Sequence, residues 1–151
     1  MTKSDDALPD HLGWRLWLAS RQWQAQFVAA MRHAGHVWFT DARANLLAHI
    51  ARGGTLQSVI VDRMGVSKQA VQQLVDGLTA DGIVERIADP DDSRSRIVRY
   101  TPAGMKAMRD ADRIKRRVED AYRERLGDAR FDVLMRTLRE LTEKPATAEH
   151  D

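Results

Sequence analysis

A chain of 151 residues is the size of one globular domain or one protomer of a small assembly, and 43% hydrophobic residues suffice to bury a core, so a multidomain enzyme and a disordered chain are both excluded. The absence of cysteine excludes disulfides, thiolate metal centres and thiol switches. The 24 basic and 22 acidic residues nearly cancel, yet 19 of the bases are arginine, the side chain best suited to bidentate phosphate and guanine contacts. An arginine-rich codon usage gives the same count, so composition permits nucleic-acid binding without arguing for it. The longest apolar run, Phe27 to Met31, is far short of the roughly 20 residues that span a bilayer, and Asp5-Asp6 puts acid where a secretory signal carries cations. A cytoplasmic protein with no membrane partner is expected.

From Leu12 to about Ala34, apolar residues recur as Leu12, Leu16, Ala19, Trp23, Phe27 and Ala34, with a second row of Trp14, Leu18, Ala25 and Val28. The spacing predicts a helix with a wide apolar face, closed by Gly35. Thr40 is then an N-cap for a second helix carrying Ala44, Leu47, Ile50 and Ala51 up to Gly53-Gly54. A short helix over 56–64 follows, then the tight link Gly65-Val66-Ser67, with Ser67 capping a helix from Lys68 to about Asp81. That helix buries Val71, Leu74, Val75 and Leu78 and leaves Lys68, Gln69, Gln72 and Gln73 outside. Beyond Gly82 the period changes to that of strands, in two short runs at 83–87 and 97–101 around a polar loop containing Pro90 and three aspartates. Pro102 opens a long helix broken at Gly127-Asp128, and a last one carries Phe131, Leu134, Leu138 and Leu141 before Pro145. The segments 1–10 and 145–151 are expected to be flexible.

Helix, short helix, three-residue link, outward-polar helix and long-tipped hairpin is the element order of a winged helix-turn-helix. The fold class expected is mainly α with a small β-hairpin wing. In its residues the sequence resembles the multiple-antibiotic-resistance regulator (MarR) family of bacterial transcription factors over nearly its whole length. The wing carries the most specific part: Asp92-Ser93-Arg94 at the tip, the strand Ile97 to Tyr100, Thr101, and Gly104 beginning the next helix. Upstream, 65–71 and 78–86 look like the family's turn, recognition helix and first wing strand. The sequence departs from the pattern at Val61, where such turns carry Ala, at Thr79 for Glu and at Tyr100 for Leu. Gly77 lies inside the recognition helix, costing about 1 kcal/mol relative to Ala and softening it.

The resemblance implies one MarR-like domain. Residues 40–101 would form its DNA-binding lobe, and helices 12–36 and 102–144 would dimerise, because their apolar stripes exceed what one thin domain covers. Residues expected at double-stranded DNA are Thr55, Ser67, Lys68, Gln69, Ala70, Gln72, Gln73, Arg94 and Arg96. Glutamine can pair bidentately with adenine, Lys68 can reach guanine or phosphate, and the hydroxyl of Thr55 or Ser67 can meet phosphate. Arg94 is implied to enter the minor groove while Asp92 steadies the loop. From Thr55 to Gly104 six bases face seven acids, a net charge of −1, so phosphate binding must come from placement rather than bulk charge.

The function expected is therefore a homodimeric transcriptional regulator, a ligand-responsive repressor on a pseudo-palindromic site. The alternative is a winged-helix protein-interaction module that no longer binds DNA. Family resemblance also implies a pocket for a small aromatic effector, for which Trp14, Trp17, Trp38 and His49 are the residues in place; residue by residue, ordinary packing of aromatics on a wide apolar helix is the favoured explanation. His33-x-x-His36 has no third donor for a metal. The sequence holds no Gly-rich phosphate loop, HExxH or GxSxG, and six scattered serines offer no activated nucleophile. No metal, cofactor or catalysis is expected.

Overall fold

The computed structural model describes residues 10–143. Of the segments expected to be flexible, 1–9 and 145–151 lie outside the described residues. The fold divides into two compact units at the Ile114–Lys115 step.

In the first unit, α1 (Leu12–His33) begins where the His11 ring accepts the Trp14 N–H at 3.2 Å. It buries Phe27 and Met31 and leaves Leu12, Leu16 and Trp17 exposed. Thr40 caps α2 (Asp41–Leu47), its hydroxyl accepting the Arg43 N–H at 3.3 Å. This helix ends at Leu47, several residues before the expected stop at Gly53. Ile50 is buried like Leu46 and Leu47, but from a turn in which its own N–H reaches the Leu47 carbonyl. An apolar residue packed from a turn continues the helical period where the helix has ended. A two-residue strand, β1 (Thr55–Leu56), leads into α3 (Gln57–Met64), Gly65 in the left-handed region at φ 64° makes the turn, and α4 (Lys68–Ala80) follows.

The wing is β2 (Val84–Ala88) and β3 (Arg96–Tyr100), antiparallel with Arg86 opposite Val98. Both strands sit one residue off the expected runs. Ile83 instead closes α4, its N–H bonding to the Leu78 carbonyl at 2.9 Å, and Thr101 caps the following helix. The sheet has three strands in the order β1-β3-β2, because Thr55 and Leu56 pair with Val98 and Ile97. Two residues carry no readable period, which is why β1 escapes the sequence. Ile60, Val71, Val75, Leu78, Val84 and Val98 are fully buried, tying both helices of the turn and the wing into one core.

Helix α5 (Pro102–Leu126) leaves the wing at close quarters. A Cβ on Gly104 would stand 1.9 Å from the Ile83 carbonyl oxygen, so only glycine lets the helix lie on the chain there. The Thr101 hydroxyl fixes the approach, donating to the Gly82 carbonyl at 2.5 Å and accepting the Gly104 N–H at 3.0 Å. Tyr100, where the family pattern has leucine, donates its O–H to the Leu47 carbonyl at 3.0 Å. Burial pushes this phenol up to about 12, so it remains a donor at any working pH.

The second unit holds the remainder of α5 and α6 (Asp128–Thr142), joined at Gly127. Phe131 is its buried anchor, with the Arg123 guanidinium 4.2 Å from the ring centroid and paired to Asp132 at 3.1 Å. Of the apolar stripe expected on α6, Leu134 and Leu141 are exposed, as is Val133.

Candidate nucleic-acid interface

The geometry of α4 starts at its N-terminus. Ser67 is extended (φ −63°, ψ 150°) and its hydroxyl accepts the Ala70 N–H at 3.1 Å, so the first turn is satisfied while the remaining backbone donors point out of the helix end. Val71, Val75 and Leu78 are inside. Lys68, Gln69, Gln72 and Gln73 are all exposed, as the periodicity requires, and Ala70 is half-buried.

Thr55 is a correction. It is only 9% exposed, in β1, and its hydroxyl accepts the Ala51 N–H at 2.9 Å. The hydroxyl expected at phosphate sits on a buried residue, where it holds the loop between α2 and the sheet.

At the wing tip, backbone bonds from Asp92 to the Asp89 carbonyl and from Ser95 to the Asp92 carbonyl close the loop. The Asp92 carboxylate accepts the Arg94 backbone N–H at 3.0 Å and the Ser95 hydroxyl at 3.3 Å. Asp92 thus steadies the loop through its main chain and leaves the Arg94 guanidinium projecting, exposed, with no hydrogen bond or ion pair among the described residues. Arg96 differs: it turns back onto the wing and donates to the carbonyls of Ser93 and Ser95, both at 3.2 Å.

Between α4 and the wing lies an open cleft of about 610 Å³, lined by Gln57, Lys68, Gln72, Arg86, Arg94 and Arg96 among others. Its inner wall is a network absent from the sequence-based expectation. Arg86 on β2 pairs with Asp76 of α4 at 2.7 Å and donates to the Gln57 side-chain oxygen at 2.9 Å, while Gln57 donates to the Gln72 side-chain oxygen at 2.7 Å. Only the Gln72–Asp76 spacing of four residues was readable along one helix. Arg86 and Gln57 come from elements far apart in sequence.

These pairs also change the meaning of the lobe's charge. Arg86 takes up Asp76, Arg99 takes up Glu85 at 2.7 Å, and Arg43 takes up Asp81 at 2.6 Å. Arg63, Lys68, Arg94 and Arg96 form no ion pair among the described residues, so a net charge of −1 coexists with uncommitted cations at the α4 start and the wing tip. The Arg43 guanidinium also explains Gly77, since a Cβ there would come within 2.6 Å of it. Gly77 is a passage for an arginine that ties α4 to the Trp38 carbonyl, at 3.0 Å, rather than a softened point.

The four residues expected around an effector fall into separate groups. Trp14 and Trp17 stack at 5.1 Å on the first turns of α1. Trp38 belongs to an aromatic chain that runs Trp23, Phe27, Phe39, Trp38, His36 with centroid separations of 5.1 to 5.8 Å. His49 is half-buried beyond α2. His36 bonds Asp110 of α5 at 2.9 Å, and that bond, aided by Arg113 and Lys106, holds the Asp110 carboxyl below its ordinary value against some burial. Among the described residues no three His, Asp or Glu converge as a metal site, and no helix is long and apolar enough to cross a membrane.

A buried two-helix turn, a polar helix capped at its exposed end and an arginine-tipped hairpin define a winged helix-turn-helix protein. Residues 39–95 match the model of the MarR family. No curated protein matches it. Among solved structures it is similar to the transcriptional repressor CouR bound to a 23-mer DNA duplex, with 27% identity over 88% of this chain and 93% of that one and a TM-score of 0.72. It is similar also to a MarR-family regulator of Rhodococcus sp. RHA1 (22% identity, 91% and 96% covered, TM-score 0.71) and to apo MarR of E. coli (15% identity, 91% and 100% covered, TM-score 0.73).

Proposed function

We propose that this protein is a sequence-specific, double-stranded-DNA-binding transcriptional regulator that acts as a homodimeric repressor on a pseudo-palindromic operator. The observation that carries the reading is the joint exposure of Lys68, Gln69, Gln72 and Gln73 on one face of α4 with the unpaired Arg94 guanidinium at the wing tip. Glutamine offers one donor and one acceptor to a base edge in the major groove, and a projecting arginine suits a narrow minor groove. Ser67 keeps its hydroxyl hydrogen for phosphate, beside the positive end of the helix. Arg96, folded onto its own loop, is a secondary contact. CouR, a repressor similar to this chain, is solved on DNA, which favours the same use of the fold here.

Homodimerisation is supported by exposed apolar residues on the flanking helices: Leu12, Leu16 and Trp17 on α1, and Val133, Leu134 and Leu141 on α6. The stacked Trp14–Trp17 pair belongs with the exposed residues of α1. An aromatic effector is assigned instead to the neighbourhood of Trp38, where aromatic rings and the His36–Asp110 pair lie between the end of α1 and α5. The competing reading, a protein-interaction module, rests on the lobe's charge of −1; internal pairing of Asp76, Asp81 and Glu85 removes most of its force. Selection from random duplex DNA at physiological salt tests the proposal. An enriched inverted repeat is expected, and a pool with no enriched sequence overturns it.

A further inference from the structure

We infer that Gln57 is a specificity-determining positioning residue: with Arg86 and Asp76 it fixes which way the Gln72 side-chain amide faces, and thereby which base Gln72 accepts. The inference rests on the DNA-binding reading above and names the apparatus behind one of its base-reading side chains.

Hydrogen-bond polarity decides how the Gln72 side chain presents itself. A glutamine amide has an acceptor end and a donor end of nearly equal shape, and a half-turn about its last torsion exchanges them. On a free surface both orientations are populated, and the side chain discriminates poorly between base edges that differ only in the order of donor and acceptor. Here the order is imposed from both ends. Arg86 can only donate, and its Nε–H lies 2.9 Å from the Gln57 Oε1. That contact turns the Gln57 amide nitrogen toward Gln72, whose Oε1 it meets at 2.7 Å. The Gln72 nitrogen must then lie on the other side, where it meets Asp76, a carboxylate that can only accept, at 3.4 Å. Asp76 is held in turn by Arg86 at 2.7 Å. One arginine therefore sets both ends of the relay, and the two constraints agree.

Fixing the amide does not exhaust it. Each end has used one bond, leaving one N–H and one oxygen lone pair of Gln72 for the cleft and whatever occupies it. That remainder is the complement of the N7 and N6 edge of adenine, in one orientation only. Arg86 also donates to the Gln72 backbone carbonyl at 3.3 Å, so the polarity is set relative to the helix itself. Gln57 spends both ends of its amide inside the relay. It acts through Gln72, and its effect is confined to one position in each half-site.

The test is selection from random duplex DNA by the full-length wild type and by Gln57→Leu, Gln57→Glu, Gln72→Ala and the Gln57→Leu/Gln72→Ala double variant, with thermal unfolding of each. Base preferences are ratios at one position, so a uniform change in affinity cancels. Gln72→Ala should flatten one symmetric pair of positions, by about 5-fold or more if the pairing is bidentate. Gln57→Leu should flatten the same pair without altering others, and the double variant should match Gln72→Ala. Gln57→Glu, which offers Gln72 an acceptor in place of a donor, should move the preferred base at that pair rather than flatten it. Gln57 variants whose profiles overlay the wild type while Gln72→Ala changes it overturn the inference and leave the DNA reading standing. Loss spread evenly over all positions also overturns it, as a merely structural role would give. A wild type that enriches nothing removes both.

Discussion

At the scale of single residues, two glycines show how one residue type answers different constraints. Gly104 is forced by a main-chain atom: the Ile83 carbonyl stands 1.9 Å from where a Cβ would be, and it is itself bonded to Thr101. Gly77 faces only the flexible end of Arg43, which can move aside. We expect Gly104→Ala to lower unfolding stability by at least about 2 kcal/mol, as overpacking against backbone does. In Gly77→Ala, the gain of about 1 kcal/mol in helix propensity offsets the weakened contacts of Arg43 with Asp81 and Trp38, for a change within about 1 kcal/mol. Urea unfolding of both variants decides it, and equal large losses contradict this account. Arg94→Ala should weaken binding across most duplexes and lower the salt dependence by about one cation's worth, read from affinity at several salt concentrations. The Asp110 carboxyl lies below its ordinary value of 3.8, so the folded state binds that proton less readily than the unfolded chain. Its contribution to stability is complete above that value and is lost as pH falls through the folded value. Asp110→Asn should accordingly flatten the acid limb of stability below about pH 4, and an unaltered limb would show the pair contributes nothing.

At the scale of elements, the readable parts are those whose signal is local. The 3.6-residue period and the Ser67 cap placed α4 to within a residue of its end, and Gly127 marked the break between α5 and α6. The exposed α4 face followed from the same period. Elements whose limits depend on distant partners were misplaced. Residue Ile50 packs from a turn, β1 exists only because β3 lies beside it, and Ile83 ends a helix rather than beginning a strand. The site divides along the same line. Asp92 and Arg94 came from the resemblance to the family's Asp-x-Arg loop, a motif contained in three consecutive residues, whereas the Arg86–Gln57–Gln72 relay joins α3, α4 and β2 and has no signature along the chain. Thr55 misled because a hydroxyl near a helix start looks the same in sequence whether it faces solvent or is buried in a strand. Since Ser67 holds the first turn of α4, Ser67→Ala should cost about 1 kcal/mol in thermal or chemical unfolding and weaken DNA binding with it. A variant as stable as the wild type would mean that the turn, not the cap, sets that helix end.

For the whole molecule, the central claim is that a nearly neutral chain reads DNA by the placement of a few groups rather than by a basic surface. Ion pairs inside the lobe absorb three of its acids, and among the described residues four cations, at the α4 start, the wing and Arg63, stay free of them. Affinity for arbitrary duplexes should then be modest, while discrimination depends on the glutamine face and on two copies acting together across half-sites about one DNA turn apart. Replacing exposed Leu16 and Trp17 of α1 by polar residues should shift the sedimentation of the protein from dimer to monomer and lower operator affinity steeply. The most direct measurement compares the sequences selected from random duplex DNA by the wild type and by Gln69→Ala. The account predicts an inverted repeat for the wild type and altered base identity at one symmetric pair of positions for the variant; the same repeat recovered by both, with only a uniform loss of affinity, would contradict it.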